Sequence, residues 1–370
     1  MKIETFELER RQSVWENRVK FNLTESGVHP YNLTEILSKE EIEDFLSMRI
    51  GYGQTNGSDE LRETISCIYP GSDLDNVLVT NGSSEANFVT IWSLLEPGDE
   101  LILMLPNYMQ IWGIARSFGI KVRPFHLKEE LNWQPDMVEV RSLISPKTKM
   151  IAVCNPNNPT GAVLSEKAME ELITFAKESD AWLYADEVYR GAELDGEESP
   201  TFWGRYNKSI IACGLSKSYA LPGLRIGWLV GPKSFIEKAW SYHDYTSIAS
   251  GYLSNWIATK ALQPEMRMKI LTRNRDMLKE NLLVLQKWVD DREDKFVFIP
   301  PRAGGLAFLR YKFSINSTKL TTKLREEKSC FIVAGDCFGM DGYIRIGIGS
   351  EKEYFIAGLE LLSEMIDELT

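Results

Sequence analysis

One lysine lies in the stretch GLSKSYALPGLRIGW, residues 214–228, of a chain that contains only three histidines. A free lysine with a pKa of about 10.4 is almost wholly protonated at neutral pH and is a poor nucleophile. Lysine is nevertheless the side chain that condenses with carbonyl groups to form Schiff bases. Because histidine is scarce, a tuned side chain or a cofactor would have to carry a difficult proton transfer. Lys217 is therefore a candidate for covalent attachment of an aldehyde.

Three other polar stretches accompany this lysine. NGSSEAN (81–87) follows an apolar run and opens a helical segment, so its amides and the hydroxyls of Ser83 and Ser84 face the helix end that favours an anion. NPNNPTG (155–161) is typical of a tight turn after a strand. YADEVYR (184–190) places two carboxylates at the end of an apolar strand, where a buried acid needs a positive partner. Each stretch alone also has an ordinary structural interpretation.

A single ligand, pyridoxal 5′-phosphate, would account for all four stretches. Its phosphate suits the helix start together with Arg225, and its aldehyde suits Lys217. Its ring nitrogen needs a carboxylate such as Asp186, and its ring hydroxyl suits Asn158 and Tyr189. The four stretches together predict a site for this cofactor.

The elements that must position these residues alternate along the first part of the chain. Alternating buried strands and helices predict an α/β domain with a mostly parallel sheet. Strands are predicted at 77–80, 101–106, 121–127, 150–156, 182–188, 209–215 and 226–231, with helices from about 83, near 109–118 and over 165–179.

The pattern changes after Pro232 and predicts a smaller α+β unit. Helices are predicted over 233–242, 255–290, 317–327 and 351–368, and strands at 296–300, 304–311, 330–335 and 343–349. We therefore expect a large domain over 43–250, and a small domain formed by 251–370 together with the N-terminal segment 1–42.

Composition and charge exclude several classes of protein. The net charge of −11 repels phosphate backbones, so we expect no nucleic-acid partner. Apolar runs such as 101–106 are far shorter than the roughly 20 residues of a membrane span. The charged N-terminus, MKIETFELERRQ, lacks the apolar core of a secretion signal, which favours a cytoplasmic protein outside the membrane. The histidines lie far apart, and the pair Cys330 and Cys337 is spaced unlike a zinc motif, so no metal site is expected.

The sequence resembles the class I/II aminotransferases, a family of fold-type I pyridoxal-phosphate-dependent enzymes, across nearly its full length. The strings that carry the resemblance are YGQTNGSDELR (52–62), NGSSEA (81–86), PNYMQIW (106–112), NPNNPTG (155–161), YADEVY (184–189), SKSYALPGLRIG (216–227) and YIRIG (343–347). In this order they are highly specific, whereas each alone would be a poor guide. The resemblance implies an α/β fold with a smaller α+β C-terminal domain. It also implies transfer of an amino group between an L-amino acid and a 2-oxo acid.

The resemblance assigns catalytic roles to Lys217, Asp186 and Tyr189, and a binding role to Asn158. Lys217 matches the Schiff-base lysine, which also moves the proton between the substrate α-carbon and the cofactor. Asp186 matches the acid that keeps the pyridine nitrogen protonated. Asn158 and Tyr189 match the partners of the phenolic oxygen, with Asn158 also near the substrate.

The remaining matches concern the phosphate, the ring faces and the substrate. The residues that resemble the phosphate-binding cup are Ser83, Ser84, Ser216 and Arg225. Tyr108 matches the aromatic that stacks on one ring face, with Val188 on the other, and Arg345 matches the clamp for the substrate α-carboxylate. Tyr52 matches the tyrosine that reaches the neighbouring subunit's phosphate, which implies a homodimer with shared active sites. Gly214 departs from the family, which usually has serine or threonine there.

A different reaction is implied by SGVHPY (26–31), in the segment that crosses the active-site mouth in this family. The string is similar to that of a cyclase in the family, capreomycidine synthase, which dehydrates and cyclises a hydroxylated arginine. A lyase or cyclase acting on a modified amino acid is therefore the alternative, with Gly27 and His29 as candidate substrate-binding residues. His29 is either an acid or base there or an ordinary loop histidine. A cofactor-binding sensor without activity is a third class, against which Lys217, Asp186 and Arg345 together argue.

Overall fold

The computed structural model of the chain describes residues 3–369. The helices are α1 (Glu7–Trp15), α2 (Leu33–Ile36), α3 (Lys39–Ser47), α4 (Asp59–Ser66), α5 (Ser83–Leu94), α6 (Gln110–Ser117), α7 (Met137–Leu143), α8 (Glu166–Glu178), α9 (Lys233–His243), α10 (Tyr252–Ala261), α11 (Pro264–Asp290), α12 (Ser317–Lys328) and α13 (Lys352–Leu369). The strands are β1 (Phe21–Asn22), β2 (Val77–Thr80), β3 (Glu100–Leu105), β4 (Lys121–Lys128), β5 (Gln134–Pro135), β6 (Thr148–Cys154), β7 (Trp182–Asp186), β8 (Ser209–Gly214), β9 (Gly227–Val230), β10 (Phe296–Phe298), β11 (Leu306–Tyr311), β12 (Cys330–Phe331), β13 (Val333–Ala334) and β14 (Tyr343–Gly347).

The large sheet has eight strands in the order β2-β9-β8-β7-β6-β3-β4-β5. The run from β8 to β4 is parallel, whereas β9 and the edge strand β5 are antiparallel to their neighbours. Both faces of the sheet are buried: on β3, Ile102 and Met104 belong to one apolar cluster, and Leu101 and Leu103 to the other. The predicted α/β class with a mostly parallel central sheet is confirmed.

A second, antiparallel sheet has the order β10-β11-β14-β13. The N-terminal segment joins this part of the chain, because β1 pairs with β12 and places Phe21 opposite Cys330. The last helix, α13, buries Phe355, Leu359 and Leu362 in the same apolar cluster as this sheet. The smaller α+β unit is therefore present, and the domain limits at 42/43 and 250/251 stay a prediction.

Three elements differ from the sequence-based expectation. The helix expected over 255–290 is two helices, because Pro264 lacks an N–H and begins α11 after a break at Leu262 and Gln263. The strand expected at 330–335 is divided between β12 and β13, which pair with different partners. β7 ends at Asp186, since the N–H of Val188 donates to the Asp186 carboxylate and not to a neighbouring strand.

Candidate active site

The carboxyl ends of the parallel strands meet at one edge of the large sheet, where open α/β sheets bind ligands. β6, β7 and β8 end at Cys154, Asp186 and Gly214, and a cavity of about 260 Å³ lies beside these ends. The structure brings together in its wall the predicted residues Ser83, Ser84, Tyr108, Asn158, Asp186, Val188, Tyr189, Ser216, Lys217 and Arg225.

Lys217 forms an ion pair with a residue that the sequence did not single out. Its Nζ lies 2.6 Å from Oε1 of Glu25, and the same oxygen accepts the N–H groups of Ser26 and Gly27. Burial has the largest single effect on the pKa of Lys217 and lowers it, but the charge of Glu25, the nearby Tyr189 and the hydrogen bond to Glu25 together leave the pKa raised. The Lys217 ammonium in turn lowers the pKa of Glu25 to about 2. The signal for Glu25 was its place directly before the SGVH string.

Asp186 is a buried carboxylate, 7% exposed, that lines the cavity. Burial raises its pKa to about 6, and the groups that bind it are neutral: the N–H of Val188 at 3.1 Å from Oδ1 and the side chain of Asn87. A buried carboxylate held only by neutral donors is suited to a cationic N–H of a ligand.

Replacing Asp186 with asparagine is expected to change how the stability of the cofactor-free protein depends on pH. The pKa of Asp186 is higher in the folded chain, about 6, than its ordinary 3.8. Its contribution to stability is therefore greatest below pH 3.8 and is lost as the pH rises through 6. Relative to wild type, the free energy of unfolding of Asp186→Asn should rise between pH 4 and 6 by at most about 3 kcal/mol, then level off. Urea unfolding of both apoproteins across this range measures it, and a pH-independent difference would contradict it.

Asn158 and Tyr189 lie in a buried hydrogen-bond chain that extends to Arg345. Nδ2 of Asn158 donates to the Tyr189 hydroxyl at 3.1 Å, and this hydroxyl donates to Oγ of Ser26 at 2.9 Å. Nη1 of Arg345 donates to Oδ1 of Asn158 at 2.9 Å, and its Nη2 donates to the carbonyl of Thr24 at 2.6 Å. Arg345 is 1% exposed, so this series of hydrogen bonds holds a buried guanidinium directly behind the cavity wall.

The start of α5 forms an anion-binding corner with Arg225. Gly82 precedes the helix with a φ of 84°, and a Cβ there would lie 2.4 Å from Nη2 of Arg225. Nη1 of Arg225 donates to Oγ of Ser216 at 3.3 Å. A Cβ at Gly214 would lie 3.0 Å from the carbonyl oxygen of Ile226, the residue before β9. A side chain at position 214 would therefore require this backbone to shift. The corner therefore combines helix amides, hydroxyls and a guanidinium, as a phosphate requires.

Replacing Gly82 with alanine is expected to weaken phosphate binding more than it destabilises the fold. A residue with a Cβ strains the backbone at this φ, and the Cβ would also displace Arg225. We expect the Kd for pyridoxal 5′-phosphate to rise at least about tenfold, as for loss of one charge-assisted contact. Gly71→Ala is the matched control, because Gly71 has a φ of 82° and open space at its Cβ. Equal loss of cofactor affinity in both variants, measured by fluorescence titration, would contradict the assignment.

The N-terminal helix α1 closes one side of the cavity and was not predicted from the sequence. Its residues Glu9 and Gln12 line the wall together with Glu16, which follows the helix. Oε1 of Glu9 accepts the Tyr108 hydroxyl at 2.6 Å, and Phe6 packs edge-on against Tyr108 at 4.9 Å between centroids. The available signal was the spacing of Glu9, Gln12 and Glu16, which places them on one helix face.

Besides Arg345, three candidate residues lie outside the cavity wall within a single chain. Tyr52 is 96% exposed. His29 is also exposed, and its Nε2 lies 3.6 Å from Oε1 of Glu351. Gly27 is buried behind the wall, where a Cβ would lie 3.1 Å from the Ser216 carbonyl oxygen and 3.6 Å from Cδ of Lys217.

The donor set of the cavity fits pyridoxal 5′-phosphate. The glycine-bounded corner at α5 offers amides, hydroxyls and a guanidinium for the phosphate. The amine of Lys217 and the uncompensated carboxylate of Asp186 line the same cavity. The remaining polar wall residues, Asn158 and Tyr189, can hold a ring oxygen.

Comparisons with known proteins agree with this geometry. The model of the family "Aminotransferase class I and II" matches residues 24–357. A crystal structure of a PLP-dependent aminotransferase from Streptococcus suis 89-1591 is 34% identical, with a TM-score of 0.94 over 100% of this chain and 99% of that one. The PLP-dependent cyclase OrfR is 25% identical, with a TM-score of 0.91 over 100% and 99%. Capreomycidine synthase of Streptomyces vinaceus is 27% identical over 355 residues, 94% of this chain and 90% of that protein.

Proposed function

Because the chain belongs to the pyridoxal-phosphate-dependent class I and II aminotransferases, we propose that the cavity residues described above carry out transamination of an L-amino acid with a 2-oxo acid. The observation that carries the proposal is that Lys217 and Asp186 line one cavity beside the anion-binding corner at α5. One ligand with an aldehyde, a basic ring nitrogen and a phosphate matches the three groups.

The bound cofactor supplies a ring that accepts the negative charge developing at the substrate α-carbon. Lys217 must lose its proton before it can attach to an aldehyde, so its ion pair with Glu25, which stabilises the protonated amine, must first be broken. The Lys217 amine would hold the aldehyde group and, when free, would move the proton at the substrate α-carbon. Asp186 would stabilise a protonated ring nitrogen from its buried position. Tyr189 and Asn158 would hold the ring oxygen.

Arg345 is suited to bind the substrate α-carboxylate. Its two terminal nitrogens already have partners in Asn158 and Thr24, while its Nε has no hydrogen-bond partner among residues 3–369. Burial lowers the pKa of this guanidinium, yet arginine stays charged in proteins. A carboxylate would satisfy both the unpartnered N–H and the buried charge.

An isotope experiment tests the proposal. The holoenzyme is incubated with a panel of ¹⁵N-labelled L-amino acids and several 2-oxo acids. Transamination predicts that the label appears in the amino acid formed from the oxo acid. Release of the label as ammonia, or its retention in a cyclised product, would contradict transamination.

The second candidate function is a lyase or cyclase acting on a modified amino acid. Its support is the similarity to OrfR and to capreomycidine synthase, both over most of the chain. The same isotope experiment separates the two functions, because a cyclase does not move the labelled nitrogen to a second carbon skeleton.

We also propose that the chain forms a homodimer in which Tyr52 reaches the partner's phosphate corner. The supporting observation is that the segment carrying Tyr52 exposes further apolar side chains, with Leu46 78% and Ile50 86% exposed. Light scattering should give about twice 42.3 kDa. Tyr52→Phe, which keeps the ring, should weaken cofactor binding without changing this mass. A monomer with full activity would contradict the arrangement.

We also propose that the chain divides into its two domains at 42/43 and 250/251, as the sequence predicts.

Among residues 3–369, none of the helices has the length and apolar character needed to span a membrane. The cytoplasmic location expected from the sequence stays a prediction.

A further inference from the structure

We propose that the amino-acid substrate has a cationic side chain, a guanidinium or an ammonium group, bound by Glu9, Glu16 and Glu25 in the cavity wall. This inference rests on the proposed function of the cavity and names the substrate class that the cavity takes.

The carboxylates of Glu9 and Glu16 are presented by one face of the N-terminal helix. The positions 9, 12 and 16 fall on the same side of a helix, and all three residues line the cavity. Gln12, between them, anchors this face, since its Nε2 donates to Oγ1 of Thr24 at 3.0 Å. Tyr108 holds Glu9 from the opposite side through its hydroxyl. The bond to Tyr108 therefore fixes the carboxylate of Glu9, and the anchored helix places Glu16 in the same wall.

Glu25 brings a third carboxylate to the same space. It follows Thr24, to which Gln12 is bonded, and the amides of Ser26 and Gly27 orient its Oε1. The carboxylates are close enough to affect one another: burial raises the pKa of Glu16, and the charges of Glu25 and Glu9 raise it further.

The positive groups of the wall do not balance these three carboxylates in a working enzyme. The cationic side chains that line the cavity are Lys217 and Arg225. Arg225 belongs to the phosphate corner, where it bonds Ser216. Lys217 pairs with Glu25, but an amine attached to the cofactor would no longer give Glu25 this partner, and Arg345, whose charge also acts on Glu25, would be taken up by the substrate carboxylate. A substrate cation would replace this positive charge.

An independent observation points to a ligand with opposite charges at its two ends. Arg345 is 1% exposed, its Nε has no hydrogen-bond partner among residues 3–369, and its Nη1 is bonded to Asn158 in the cavity wall. This buried guanidinium would bind a carboxylate, whereas the side of the cavity formed by α1 would bind a cation. An acidic side chain would be repelled from that side, and an apolar one would bring no positive charge to the three carboxylates.

Binding of L-arginine and L-citrulline to the holoenzyme tests the inference, since the two differ mainly by the charge of the terminal group. Calorimetry should give a Kd at least about tenfold lower for arginine, a preference that decreases with salt. L-Lysine and L-ornithine should likewise bind more tightly than L-leucine. Glu9→Gln and Glu16→Gln should each reduce the preference for arginine. Glu7→Gln should not, because Glu7 lies on the same helix but pairs with Arg11, with its side chain 61% exposed.

The outcomes separate this inference from the proposed function. Equal binding of arginine and citrulline by the wild-type holoenzyme would overturn the cationic substrate class, even if ¹⁵N transfer from another amino acid is efficient. Preferential binding of arginine with its label released as ammonia would support the substrate class and overturn transamination. The wild-type comparison decides the matter even if a variant fails to fold.

Discussion

Replacing Lys217 with alanine is expected to abolish covalent attachment of the cofactor and to lower kcat by at least about a thousandfold. The reason is that one amine serves two steps, attachment to the aldehyde and transfer of the α-proton, and residues 3–369 place no second lysine in the wall. Borohydride reduction followed by intact-mass and peptide analysis detects the attached pyridoxyl group. The rate of ¹⁵N transfer gives kcat.

Lys208→Ala is the matched control for this experiment. Lys208 lies just before β8, pairs with Asp180 at 2.6 Å, and is outside the cavity wall. It should keep both the label and the activity. A Lys217→Ala protein that carries the pyridoxyl label on another lysine and retains turnover would show that the attachment site is elsewhere.

Replacing Arg345 with lysine is expected to lower kcat/KM for the amino acid at least about a hundredfold while leaving cofactor affinity within about twofold of wild type. A lysine keeps the charge but cannot present several N–H groups in one plane, so the bonds to Asn158 and Thr24 and the carboxylate contact cannot all form. Steady-state kinetics and a cofactor titration measure the two effects separately.

Arg310→Lys provides the comparison on the same sheet. Arg310 lies on β11, next to β14, and its exposed guanidinium pairs with Glu129 at 2.8 Å. This variant should have nearly wild-type kinetics. If Arg345→Lys and Arg310→Lys have the same kcat/KM, Arg345 does not bind the substrate carboxylate.

Much of the cofactor site was predictable because its residues directly follow strands. Asp186 ends β7, Lys217 follows β8 by three residues, and Ser83 begins α5 after β2. The carboxyl ends of parallel strands meet at one edge, so the order of strands and motifs is enough to expect these side chains in one place. The exact limits were less predictable, since pairing with neighbours decided them, as at β12 and β13.

The substrate side of the cavity was not predictable in the same way. Glu25 meets Lys217 across 192 positions of the chain, and Tyr108 meets Glu9 across 99. These contacts depend on β1 pairing with β12, which brings the N-terminal segment to the small sheet. No local pattern reports such a pairing, and α1 is a short helix rich in charged residues, whose propensity alone is a weak signal.

By itself, the sequence determined the α/β class, the cofactor and a set of side chains that line one cavity, because turn chemistry, strand ends and helix starts are local properties of the chain. Only the tertiary structure decided which carboxylates line the cavity, that His29 turns to Glu351, and that Arg345 lies buried behind Asn158. These depend on contacts between distant segments, whose geometry follows from the packing of the whole chain.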